Sequence, residues 1–103
     1  MLNQVVLVGR LTNEPRRVWE EEIDRDIVSI NLAIPRAYKN AMGVYETDFV
    51  SIKLFDNIGT NTMEYCRKGD LIGIKGRIES FGDRIEIIAE KVTFLSSSNN
   101  NEN

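Results

Sequence analysis

The sequence predicts an all-β fold: a closed five-stranded barrel with one short helix between the third and fourth strands. Three observations predict it. Five segments carry strand-length apolar runs or strict alternation, against one segment of helical character. Glycines fall inside strands, Gly9 in the first and Gly73 and Gly76 in the fourth, where a tightly coiled sheet has to bend. The order of the elements, three strands, a helix and then two strands, fits one compact layer closed on itself.

Each element has its own signal. Asn3 to Leu11 is a near-continuous aliphatic run, short and valine-rich, which reads as a strand buried on both sides. Thr12 to Pro15 is turn chemistry, and Arg16 to Trp19 reads as a short return strand, on which Trp19 is expected to be structural. Glu20 to Arg25 is charged, as a solvated hairpin tip would be. Asp26 to Pro35 alternates, with Val28, Ile30, Leu32 and Ile34 on one face. Pro35 to Glu46 breaks the pattern and reads as a long hairpin loop of functional character. Asp56 to Lys68 is the helix, with Asn61 and Glu64 at capping-box spacing and Gly69 as its stop. Leu71 to Ser80 forms the fourth strand, with Ile72, Ile74 and Ile78 facing inward and Lys75 and Arg77 outward. A short turn at Phe81 to Asp83 leads into Arg84 to Leu95, the fifth strand. The domain is therefore expected over residues 1–95, followed by a disordered serine- and asparagine-rich tail over 96–103.

The most informative segment is Thr47 to Phe55. Alternation sends Val50, Ile52 and Leu54 to the core and Phe49, Ser51, Lys53 and Phe55 to the opposite face. Two aromatic rings flanking a lysine form a platform on which flat bases could stack while a phosphate is neutralised. The competing reading is that a second sheet or subunit covers this face.

Composition narrows the function. A chain of 103 residues makes one domain, too short for a catalytic unit plus a recognition unit. No apolar run approaches the roughly 18 to 20 residues of a spanning helix, and no leader pattern opens the chain. A cytoplasmic protein without membrane contact is expected. With no histidine and one cysteine, Cys66, no zinc site, histidine-based catalysis or disulfide framework is available, so no cofactor or metal is expected and Cys66 reads as a small buried hydrophobe. A small nuclease is disfavoured, because the carboxylates show no metal-ligand spacing. The net charge of −3 opposes a polyanion ligand, but the acids cluster at Glu20, Glu21, Glu22 and Asp24. Arg36, Lys39, Lys53, Lys75 and Arg77 fall on or beside the aromatic face, so an acidic loop pointing away would leave a locally positive groove.

A five-stranded closed barrel with a helix between strands three and four is the OB-fold, whose ligand face lies on the second and third strands. That barrel also hosts sugar and protein partners. The blocks Asn3 to Pro15, Ile30 to Ala33, Thr47 to Phe49 with Leu54-Phe55, Glu64-Tyr65 with Arg67 to Gly69, and Gly76-Arg77 occur in order. Together they resemble the bacterial single-stranded DNA-binding protein family, over about residues 1 to 95.

The resemblance implies a subunit that dimerises through its first strand and usually forms a tetramer wrapped by single-stranded DNA, in replication, recombination or repair. It places base-stacking aromatics at Tyr38, Phe49 and Phe55, with Tyr38 and Phe49 standing where many members have tryptophan. Arg36, Lys39, Lys53, Lys75 and Arg77 would contact phosphates. No base-edge code is evident, so binding would be largely independent of sequence. Two departures qualify the likeness. The hairpin between the last two strands is short, leaving Phe81 as a candidate substitute for the family's further aromatic. The tail lacks the family's acidic tip, which argues against recruitment of replication enzymes through it. These departures favour an alternative: an OB-fold interaction subunit of the primosomal type, with a protein partner and weak DNA binding.

Overall fold

The computed structural model describes residues 1–98; residues 99–103, most of the expected tail, lie outside the described residues. The chain runs β1 (Val5–Leu11), β2 (Arg16–Glu20), β3 (Arg25–Lys39), β4 (Tyr45–Leu54), α1 (Asp56–Tyr65), β5 (Leu71–Phe81) and β6 (Arg84–Ser96). The sheet closes on itself: β1 pairs antiparallel with both β5 and β3, β3 with β4, and β5 with β6, while β4 and β6 meet in parallel. This circuit is the OB-fold expected from the sequence. The return segment β2 is a sixth strand, attached to the barrel at the edge of β3.

The inward residues of β3, β4 and β5 fill the barrel. Val28, Ile30, Leu32, Ile52, Leu54, Ile72 and Ile74 are buried, and Leu11, Cys66 and Ala89 complete the cluster. Each buried aliphatic side chain of this size contributes about 1.5–3 kcal/mol relative to exposure. Two glycines permit the closure. A Cβ on Gly9 would stand 2.8 Å from the Ala33 carbonyl oxygen, and one on Gly76 would stand 2.1 Å from that of Ile88. Opposite Gly76, β6 carries an extra residue, Glu90, between Ala89 and Lys91. The resulting bulge bends the ribbon.

Several sequence expectations are corrected. β1 is not buried on both sides: Val6 and Val8 are exposed, because β1 lies on the barrel wall with only its odd-numbered face inward. The supposed long loop after Pro35 is mostly strand, for β3 reaches Lys39 and β4 begins at Tyr45. A register irregularity between Pro35 and Lys39 lets the ladder continue past the proline. The remaining turn is held by Asn40, whose side-chain oxygen accepts from the N–H groups of Met42 and Val44. The helix starts at Asp56 as expected, but Asn61 lies in its middle rather than at a cap; the N-cap is Phe55, with no side-chain cap, and Asp56 enters at φ 56°. It ends at Tyr65, before Lys68.

Ile78 is exposed rather than inward, and Ile85 across the ribbon is exposed as well. The alternation persists, but the barrel stops near Gly76 and the β5–β6 ribbon runs on beyond it. At the opposite end β6 reaches Ser96, and the Ser98 N–H donates to Asp70 Oδ1.

Candidate functional site

The outward face of β4 meets the outward face of β3 in register: Phe49 lies opposite Ala33, Ser51 opposite Asn31, and Lys53 opposite Ser29. A methyl group cannot cover an aromatic ring, so Phe49 is left 72% exposed on the barrel wall. Toward the β3–β4 turn stand Tyr38 and Tyr45, both exposed, with Lys39 Nζ 5.7 Å from the centroid of Tyr45. In the middle the track is polar. The Ser51 hydroxyl donates to Asn31 Oδ1 at 2.7 Å, and Asn31 Nδ2 donates to Asn13 Oδ1 at 3.0 Å.

At the other end, Phe55 and Phe81, both half-buried, line an open cavity of about 810 Å³ together with Arg25, Arg77, Glu79 and Glu90. Arg25 lies over Phe55, with its guanidinium carbon 5.1 Å from the ring centroid, and also pairs with Asp56. An exposed ring at one end, a hydrogen-bonding track and a ring-lined cavity at the other suit a flat, unpaired, polyanionic ligand lying along the strands.

The electrostatics differ from the expected positive groove. Arg36 binds Asp48 through two nitrogens and Glu46 through a third, which raises the guanidinium further above its ordinary value and holds the Asp48 carboxyl below its own. Arg77 pairs with Glu79 and Glu90, and the hydrogen bond to Glu79 is the chief cause of its raised pKa. Lys53 Nζ lies 2.6 Å from Glu20 and 2.9 Å from Glu86. Burial disfavours its charge, but the hydrogen bonds to the two carboxylates outweigh that and its pKa is raised.

Two acids of the β2–β3 hairpin, Glu20 and Glu22, therefore do not point away. Glu20 ties down Lys53, and Glu22 pairs with Arg84 at the start of β6. These partners are far apart in sequence and no local pattern announces them.

Of the residues singled out from sequence, Tyr38, Arg36, Lys39, Phe49, Lys53 and Phe55 lie along the β3–β4 surface, and Arg77 and Phe81 join it from β5. Lys75 does not. It pairs with Val6 and borders the outer surface of β1, near Val8 and Lys91.

Trp19 is 57% exposed rather than packed away, because β2 is an edge strand with a neighbour only in β3. Sequence reasoning also missed Arg25 and Tyr45. An arginine directly after a tight acidic turn gives no hint that it will lie over a ring thirty positions later. Tyr45, by contrast, continues the odd-numbered series of Phe49 and could have been read from it. Among the described residues no cluster of acidic or cysteine side chains could hold a metal ion, and no helix is long and apolar enough to cross a membrane.

Comparison with known proteins agrees with this geometry. The model of the single-strand binding protein family matches residues 2–95. Single-stranded DNA-binding protein 1 of Staphylococcus aureus is 36% identical over 112 residues, covering 99% of this chain and 70% of that protein. Single-stranded DNA-binding protein B of Bacillus subtilis is 41% identical over 80 residues, covering 78% and 70%. Among solved structures, the wild-type single-stranded DNA binding protein from Thermus aquaticus superimposes with a TM-score of 0.72 at 26% identity, over 92% of this chain. The match takes in 50% of that protein, so the chain spans about half its length.

Proposed function

The chain belongs to the single-strand binding protein family, and on that premise we propose that it binds single-stranded DNA with little regard to sequence, coating and protecting unpaired strands during replication, recombination or repair. Phe49 carries the reading. A phenyl ring 72% exposed in the middle of a β-strand adds nothing to the core and offers a flat apolar surface to a base. Tyr38, Phe55 and Phe81 extend the stacking surface, at about 1–3 kcal/mol for each base engaged. Lys39 and Arg25 stand beside rings and reach the phosphates, Arg25 by leaving Asp56. Arg36 and Arg77 contribute only by exchanging carboxylate for phosphate. The protein acts by binding alone, as a cytoplasmic homo-oligomer, a tetramer or a dimer, assembled through the outward valines of β1.

Titration with oligo(dT) across a salt series tests this. Log affinity should fall with log salt by about 0.7 for each phosphate contacted, and duplex DNA of the same length should compete poorly. Equal affinity for duplex and single strand would overturn the proposal.

One observation favours a second reading. Lys53, Arg36 and Arg77 are each already paired with carboxylates, which weakens the attraction for phosphate and suits an interaction subunit with a protein partner. That reading expects weak oligo(dT) affinity and a nearly flat salt response.

A further inference from the structure

Lys53 sits at the centre of the outward face, yet its surroundings do not suit a phosphate ligand. Its side chain is only 14% exposed, and the two carboxylates that hold it, Glu20 and Glu86, are nearly as buried. An ammonium group has three N–H donors. Two are directed to these carboxylates and the remaining side of Nζ faces the Phe81 ring, 5.4 Å from its centroid. Arg84 also lies 3.8 Å from Glu86 and pairs with Glu22, so two positive and three negative charges leave the cluster net negative, and an approaching phosphate meets repulsion.

The same cluster joins separate parts of the chain. Glu20 ends β2, Lys53 lies in β4, Glu86 lies in β6, and Phe81 ends β5. The Arg84–Glu22 pair adds a second link between the β5–β6 ribbon and the β2–β3 turn. Because this ribbon extends past the end of the barrel, few core contacts hold its tip, and its position depends on such ties.

We propose that Lys53 is a positioning residue for nucleic-acid binding: it takes no phosphate itself, but anchors the β5–β6 ribbon so that Phe81 stands as a wall of the cavity it shares with Phe55. The inference rests on the single-stranded DNA reading above and assigns one of its cations a different task.

The test is oligo(dT) affinity across salt for the full chain and its variants. Lys53→Met and Phe81→Ala should each weaken binding about 5- to 150-fold, the range for one lost stacking contact, with the salt slope unchanged. The double variant should be no weaker than Phe81→Ala alone, and Lys53→Arg should recover most of the loss. Glu86→Gln decides the matter if Lys53→Met fails to fold, because the two roles give opposite signs. A positioning Lys53 predicts weaker binding at unchanged slope. A phosphate-binding Lys53, released from one carboxylate, predicts tighter binding and a steeper slope. Tighter binding by Glu86→Gln, or a slope lowered by about 0.7 in Lys53→Met, overturns the inference. If the unaltered protein fails to bind oligo(dT) at low salt, the functional reading falls and this inference with it. If it binds and only the variant signs disagree, the inference alone falls.

Discussion

The guanidinium of Arg25 lies over the ring of Phe55, 5.1 Å from carbon to centroid. A cation parked on an aromatic face gains about 0.5–1 kcal/mol at an exposed site, and it covers one side of the surface that a base would use. A nucleotide stacking there must use the other face of the ring or displace the arginine. In either case Arg25 is brought next to the phosphate of the same nucleotide. Arg25→Ala should therefore lower the slope of log affinity for oligo(dT) against log salt by about 0.7, with little change in thermal stability. An unchanged slope would mean that Arg25 does not meet phosphate.

Phe49 faces Ala33 across the strand pair and is free to be enlarged. Phe49→Trp adds ring area without disturbing the core. It should tighten binding to oligo(dT) severalfold, measured by fluorescence anisotropy of a labelled oligonucleotide, and leave the unfolding midpoint in place. Weaker binding with an intact fold would indicate a ring that is packed against something other than a base.

Gly76 has no room for a side chain, since an added Cβ would sit 2.1 Å from the Ile88 carbonyl oxygen. Backbone must shift to admit Gly76→Ala, at a cost of about 1–3 kcal/mol as in other overpacked sites. Urea denaturation should show a lower midpoint. An unchanged midpoint would contradict the closeness of β5 and β6 at the bulge.

Cys66 is buried at the end of α1, and burial first, with the nearby Asp70 second, pushes its thiol pKa above the ordinary 9.0. An acid whose folded pKa is raised withholds its proton from solvent, so the folded state loses stability as pH climbs past the unfolded value. Native protein should react with a thiol reagent at pH 8 far more slowly than protein in urea. Equal rates would place the sulfur at the surface.

Val6 and Val8 form an exposed apolar strip on β1, flanked by Lys75. If this surface joins copies of the chain, Val6→Asp combined with Val8→Asp should reduce the mass measured by light scattering to that of one chain. A mass that stays at the multimer value would move the interface elsewhere.

Much of the fold could be read from the sequence because its signals are local. The alternation of Ile52 and Leu54 against Phe49 and Lys53 is a property of β4 alone, and it separated core from outer face correctly. Gly76 marks the bulge between β5 and β6, and Gly9 marks the close approach of β1 to β3, while Gly73 has ordinary room for a side chain. What could not be read depended on contacts between distant segments. Glu20 and Lys53 are 33 positions apart and Glu22 and Arg84 are 62 apart, so acids that look like a solvated turn become partners of cations across the face. Ile78 obeys its alternation, but no local pattern tells where the barrel ends. The alternation breaks after Pro35 and so reads as a loop, yet a register irregularity there lets pairing resume at Lys39. Lys75 was given to the wrong surface because alternation tells inside from outside, not which neighbouring strand lies alongside.

The account depends most on rings outside the core serving as stacking surfaces for bases, and the affinity of Phe49→Ala combined with Phe55→Ala for oligo(dT) tests this most directly. A loss of at least about 30-fold, corresponding to two lost stacking contacts of about 1 kcal/mol or more each, with circular dichroism and unfolding midpoint retained, is the predicted result. Affinity equal to that of the unaltered protein, with the fold intact, would contradict it.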